Sequence, residues 1–248
     1  MDDPALLDVL REAARAVRRA LDDLSDWGPS GARPDQYASD VVADAAVLSV
    51  LDAAGLAVLS EETGLHGDGR DVVVVVDPVD GSTNAAAGVP WFATSLCAVD
   101  ADGPRVAVVQ DHASGVRFEA VRGGGAWRDG APVQPSDRRR LEGAFLAVTG
   151  WPPQHLGWSQ FRSLGALALD LCAVASGVFD AYVDFSHDGH GPWDWLAGLL
   201  VCSEAGAGVA DAFGRELVVV DHAARRTLVA GATRDVLEEA LAARRSVA

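Results

Sequence analysis

The chain has 248 residues, with 20 basic side chains against 36 acidic ones, a formal charge of −16, and 49% hydrophobic residues. Enough apolar side chains are present to bury a core and offset the entropy of ordering the chain, so one large domain or two intimate lobes is expected. The acidic excess argues against binding a phosphate backbone, which rests on Lys and Arg, and no apolar run approaches the roughly 20 residues that span a bilayer, so neither nucleic acid nor membrane is an expected partner.

Met1-Asp2-Asp3-Pro4 lacks the basic start and apolar middle of a secretion signal, which predicts a cytoplasmic protein. Asp3-Pro4 reads as an acidic cap followed by Pro in the first turn, and Leu6, Leu10, Ala13, Val17, Leu21 and Leu24 recur on one helical face. Trp27 to Gly31 breaks that helix, and Val41, Ala45, Leu48 and Leu51 mark a second one running to about Gly55. Leu56–Leu59 reads as a short strand, and the β-branched run Val72–Val76 as a strand buried on both faces. Both end in carboxylates.

From Trp91 to Val133 the pattern is strand and turn. Phe92–Val99, Arg105–Gln110 and Val116–Val121 are separated by Asp102-Gly103 and Ser114-Gly115, as in an antiparallel meander. The polar segment Pro135–Glu142, with Arg138, Arg139 and Arg140 in a row, is the expected boundary between lobes at 1–135 and 136–248. After it come a strand (Ala144–Thr149), a helix (Leu164–Ser176), a strand (Asp180–Asp184), a helix (Trp193–Ala205), short strands including Thr227–Ala230, and a last helix from Thr233. This alternation predicts a layered α/β lobe.

Cys97, Cys172 and Cys202 are widely spaced in apolar sequence and read as buried thiols, not a disulfide framework or a metal clip. All 20 basic residues are Arg. The absence of Lys excludes a P-loop and Schiff-base chemistry. Asn84 is the single Asn and falls in the most unusual segment, which suggests a specific task for it.

Three acidic clusters carry the chemistry: Glu61-Glu62 after one strand, Asp77-Pro78-Val79-Asp80-Gly81-Ser82-Thr83-Asn84 after another, and Pro192-Trp193-Asp194 opening a helix. These are the places where α/β folds put their sites. Asp77 and Asp80, three apart across a Pro turn, can aim at one point, and Glu62 and Asp194 join them if the fold converges. Four crowded carboxylates repel one another strongly in a low dielectric, which a hard divalent cation relieves. Gly81-Ser82-Thr83 opens a helix whose free amides suit a phosphate. Carboxylates, cation and phosphate cradle together point to phosphoryl hydrolysis. A haloacid-dehalogenase reading needs D-x-D and fails on spacing; no G-x-S-x-G is present, and Gly206-x-Gly208 follows a helix where a dinucleotide motif needs a strand.

On Ser60-Glu61-Glu62-Thr63, the unbroken DPVDGSTN of 77–84 and Trp193-Asp194-Trp195-Leu196-Ala197-Gly198, in this order and over essentially the whole chain, the sequence resembles the inositol monophosphatase family of Mg²⁺-dependent phosphatases. The resemblance implies an α/β (α+β) fold, a layered α-β-α-β-α sandwich of the inositol monophosphatase and fructose-bisphosphatase type. It also implies a homodimer. The metal ligands it implies, for two or three Mg²⁺ ions, are Glu62, Asp77, the Val79 carbonyl, Asp80 and Asp194. Asp44, or alternatively Asp40, resembles an acid that helps hold a weaker metal. Glu62 and the Ser82 hydroxyl are expected to orient and deprotonate the attacking water, with Asp80 in the same catalytic group and no covalent phosphoenzyme. Gly81, Ser82 and Thr83 match the phosphate contacts. Gly165, Ala166 and Asp184, with Asp194, match contacts to the alcohol. The substrate implied is a small polyol or amino-alcohol monophosphate, with histidinol phosphate, fructose 1,6-bisphosphate or a nucleotide 3′-phosphate as alternatives and a catalytically idle binding protein as a further one. Between Asp184 and Asp194 the chain is about three residues longer than the family pattern and inserts Ser186-His187-Asp188-Gly189-His190, so the pocket rim is expected to differ there.

Overall fold

A computed structural model describes all residues except 35, 68 and 248. Two sheets sandwiched by helices organise the chain. The first sheet contains β1 (Ala57–Ser60), β2 (Gly64–His66), β3 (Val73–Asp80), β4 (Ala93–Asp100), β5 (Gly103–Asp111), β6 (Arg117–Val121), β7 (Gly125–Arg128) and β8 (Ala131–Pro132), in the order β2-β1-β3-β4-β5-β6-β7-β8. Residues 133–144 carry no strand or helix and lead to the second sheet. That sheet holds β9 (Phe145–Thr149), β10 (Gln160–Arg162), β11 (Ala181–Asp184), β12 (Gly208–Asp211) and β13 (Leu228–Gly231), in the order β10-β9-β11-β13-β12. The helices are α1 (Asp3–Asp22), α2 (Ala38–Ala53), α3 (Ser82–Ala87), α4 (Leu167–Ala175), α5 (Pro192–Ala205) and α6 (Arg234–Arg245).

The strand period of two assigns the layers. Val74 and Val76 of β3 pack with Leu6, Leu10 and Val17 of α1 and Val47 and Leu51 of α2, whereas Val75 between them packs with α4 and α5. The second sheet covers the other side of α4 and α5 through Ala147, Tyr182 and Leu228. Its outer face, Leu146, Val148 and Val183, packs on Val236 and Ala240 of α6. The stack is therefore α1-α2, sheet, α4-α5, sheet, α6, the expected α-β-α-β-α sandwich. Nine residues of α5 are buried, as its central position demands. Gly198 is needed there: a Cβ would lie 2.6 Å from that of Leu171 on α4.

Several boundaries differ from the sequence reading. The cap of α1 is Asp2, whose Oδ1 accepts from the Ala5 amide at 3.0 Å, because a carboxylate one residue before the expected cap reaches the free N–H groups. The short strands β2, β7 and β8 were not expected; they extend the sheet as narrow hairpins with too few residues to show alternation. Within the expected boundary segment, Arg138 and Arg140 reach Asp180 at 2.8 Å and Glu239 at 3.3 Å. The three cysteines are free and buried. Among the described residues no helix is long and apolar enough to cross a membrane.

Candidate active site

Parallel pairing of β1 with β3 aligns Ser60 with Val76, so Glu61, just past the end of β1, comes beside Asp77 within β3. Parity decides where they point. Val58 faces α1 and α2 while Leu59 faces α4 and α5, so Ser60 turns to α2, and Glu61 turns to α5. The Ser60 hydroxyl accordingly donates to Asp44 of α2, and Glu61 lies beside Asp77 and Asp194.

The register between β3 and β4 shifts between Asp77 and Asp80, a bulge at Pro78-Val79. The Asp77 carboxylate accepts from the Val79 amide at 3.0 Å, and the Thr94 hydroxyl donates to the Pro78 carbonyl at 2.8 Å, which holds the bulge. Asp80 then points into the layer of α4 and α5 and accepts from the Ala168 amide at 2.7 Å. At the start of α5, Asp194 accepts from the Gly191 amide at 2.6 Å, and Ser95 of β4 donates to the Trp193 carbonyl at 2.8 Å, pinning the helix to the first sheet. Asp77, Asp80 and Asp194 each offer an oxygen within 4.8 Å of the others.

Burial and mutual repulsion act together on these acids. Burial first, then Glu61, Asp80 and Asp194, push the Asp77 carboxyl well above its ordinary range; burial and then Asp194 do the same to Asp80. Glu61 is pushed up to about 8 by burial, Asp194, Glu62 and Asp40. Among the described residues none of the four has an arginine partner. A hard divalent cation with oxygen ligands suits this donor set, since its charge replaces the protons that burial otherwise holds on the carboxyls.

Two expected metal ligands are displaced by their neighbours. The Glu62 carboxylate turns away from the cluster to Arg33 and Gln36, and Glu61 takes the inward position, for the parity reason given above. Asp44 has both oxygens occupied, by the hydroxyls of Ser60 and, at 2.9 Å, Thr63. Asp40, one turn earlier on α2, faces Glu62 and Ser82 instead; burial above all pushes it up to about 6. A cleft of about 370 Å³ opens beside Glu61 and Glu62 and is bordered by Arg33, Trp193, His222 and Arg225.

Gly81 immediately precedes α3 in a left-handed conformation, φ 86°, and a Cβ there would lie 2.9 Å from the Trp91 carbonyl, 3.1 Å from Ala166 and 3.3 Å from the Gly165 carbonyl. The structure thus brings Gly165 and Ala166 against the Asp80-Gly81 turn. Asn84 clamps this junction, donating to the carbonyls of Trp91 at 2.8 Å and Leu164 at 2.7 Å. Asp184 is not brought in: it is fully buried at the end of β11, and His190 stands between it and Asp194.

The inositol monophosphatase family model matches residues 35–248. The chain belongs to that family. It is 31% identical over 232 residues, 88% of each chain, to the fructose-1,6-bisphosphatase/inositol-1-monophosphatase of Archaeoglobus fulgidus. It is 37% identical over 201 residues to the Nus factor SuhB of Pseudomonas aeruginosa, 72% of this chain and 70% of that one. Among solved structures, the inositol monophosphatase of Anabaena superposes with a TM-score of 0.82 at 26% identity, covering 99% of this chain and 97% of that one.

Proposed function

We propose that the chain is a Mg²⁺-dependent phosphomonoesterase acting on a small polyol or amino-alcohol phosphate through direct attack of water. The observation that carries this reading is the convergence of Glu61, Asp77, Asp80 and Asp194, without arginine partners, beside a glycine turn with free helix amides. Glu61, Asp77, Asp80 and Asp194 would hold the cations, with the Val79 carbonyl and, for a weaker ion, Asp40. Bound divalent cations supply an acidified water and neutralise charge on the phosphoryl oxygens. Glu61, the carboxylate that β1 delivers beside Asp77 and Asp194, accepts a proton from the attacking water once the cation keeps it ionised. Ser82, beside Asp40, orients that water through its hydroxyl. The amides of Gly81, Ser82 and Thr83 bind the phosphate and hold it for in-line displacement. Gly165 and Ala166, packed against Gly81, border the alcohol.

Similarity to a fructose-1,6-bisphosphatase/inositol-1-monophosphatase supports keeping the bisphosphate in the substrate set, beside histidinol phosphate and a nucleotide 3′-phosphate. Similarity to Nus factor SuhB supports a second reading, a binding role independent of catalysis. Phosphate release from inositol 1-phosphate, histidinol phosphate, fructose 1,6-bisphosphate and adenosine 3′,5′-bisphosphate, with and without Mg²⁺ and beside Asp80→Asn, tests both. Mg²⁺-dependent turnover abolished in the variant is expected. Uniform inactivity of a folded protein overturns the hydrolytic reading in favour of the binding one.

A further inference from the structure

We propose that His190 reads the alcohol portion of the substrate and that Asp184, matched by position to a substrate contact, anchors the loop beneath it without touching the substrate. This rests on the phosphomonoesterase reading. Asp184 has no exposed surface; its Oδ1 accepts from the Ser186 amide at 2.7 Å and hydroxyl at 2.6 Å, and its Oδ2 has no hydrogen-bond partner. Between that orphaned oxygen and the carboxylate cluster lies the His190 ring, with Nε2 3.6 Å from Asp184 and Nδ1 3.6 Å from Asp194. Both separations are too long for hydrogen bonds. The Nδ1 edge thus faces the Asp194 carboxylate without a hydrogen bond of its own, and the ring side chain retains 14% exposure where Asp184 retains none.

The ring is held firmly enough to discriminate. The Tyr182 hydroxyl lies 3.2 Å from Nε2 and donates to Thr149 at 2.7 Å. The His190 backbone pairs with Arg226 in both directions, at 3.4 and 3.0 Å. Two residues earlier the Asp188 carboxylate is gripped by Arg215 at 2.6 Å and its amide donates to Thr227 at 3.0 Å. Arg244 donates to the carbonyls of Asp184 and Ser186, at 2.5 and 2.9 Å. The loop of 185–191 is thus tied to three other segments, and the residues that lengthen it deliver an imidazole, donor or acceptor, where a carboxylate offers only acceptors.

The test compares kcat/KM for inositol 1-phosphate with that for p-nitrophenyl phosphate, which has no hydroxyl beside the ester, at saturating Mg²⁺. In His190→Ala the ratio of the two falls about ten-fold, the size of one lost hydrogen bond, and His190→Gln restores part of it. His187→Ala, whose ring is 75% exposed in the same loop, leaves the ratio unchanged. Equal losses on both substrates, or weakened Mg²⁺ affinity in His190→Ala, overturn the proposal by showing that the ring acts through Asp194. Calorimetric binding of inositol 1-phosphate against inorganic phosphate separates the two readings. If the wild type binds the ester but releases no phosphate, hydrolysis fails while the binding ratio still decides on His190. A wild type that binds inositol 1-phosphate no better than inorganic phosphate overturns the role of His190.

Discussion

Glu119 and Asp77 are almost equally hidden, at 4% and 2% exposure, yet their surroundings treat a negative charge in opposite ways. Burial raises the Glu119 carboxyl, but Arg11, bidentate at 2.7 and 2.8 Å, and Arg117 at 2.5 Å outweigh it and hold the group below its ordinary range. Asp77 receives one backbone amide and faces Glu61, Asp80 and Asp194. The first arrangement is a completed ion pair that fastens α1 to β6. The second is electrostatically unfinished, and the comparison teaches that its missing charge is to come from outside the chain.

The largest test of that difference is removal of one carboxylate. In Asp77→Asn, Mg²⁺-dependent phosphate release is expected to fall by about 10³-fold or more, several kcal/mol of transition-state stabilisation at about 1.36 kcal/mol per decade. The metal-free variant should melt no lower than the wild type, because a source of repulsion is gone; calorimetry with EDTA checks it. A variant that loses activity and stability together would place Asp77 with Glu119 as a structural acid.

The adjacent pair Glu61-Glu62 sharpens the same contrast within two residues. Glu61→Gln should lower turnover about 10²-fold, and Glu62→Gln, which only releases Arg33 and Gln36, by less than about five-fold. The reverse order would return the metal role to Glu62.

Titration gives a third and smaller contrast. Glu61, raised from 4.5 to about 8, binds more protons in the folded than in the unfolded state between those values. Its contribution to metal-free stability is therefore full below about pH 4.5 and is lost as pH rises through about 8. Added Mg²⁺ should reverse the trend, with about 2.7 kcal/mol of stabilisation at a hundred times Kd and a larger Tm gain at pH 8 than at pH 6. Equal gains at both pH values would remove Glu61 from the ligand set.

How much of this was legible in the sequence depended on whether the signal was local. Val72–Val76 marked a strand buried on both faces and the apolar face of the first helix a helix packed on the core, the five-layer stack came from the family resemblance, and the unbroken DPVDGSTN and Trp193-Asp194 marked where α3 and α5 begin. The choice between Glu61 and Glu62 was available in principle, since alternation from Val58 and Leu59 aims Glu61 at the layer that holds α5. Asp40 and Asp44 share a helical face, so periodicity cannot separate them; the hydroxyls of Ser60 and Thr63, which occupy Asp44, belong to another element. The seat of His190 was hidden for the same reason, being built from Tyr182, Arg226 and the anchoring of Asp188 by Arg215.

The smallest effect is expected at the finished ion pair. Glu119→Gln keeps the shape of the side chain but takes away the charge that Arg11 and Arg117 share, so the guanidinium groups keep weaker hydrogen bonds and must recover solvation. Both arginines are about 30% exposed and recover it readily, which limits the cost to about 1–2 kcal/mol in a urea titration. Turnover and Mg²⁺ dependence should not change. Stability should instead fall in the wild type on acidification, because a carboxyl held below 4.5 contributes stability above that value and loses it as pH drops through its folded pKa. The two acids then carry opposite pH slopes in one molecule, with Glu119 supporting the fold at neutral pH and Glu61 weakening it until a cation is bound. A Glu119→Gln protein that loses Mg²⁺-dependent turnover while keeping its stability would erase the distinction between them.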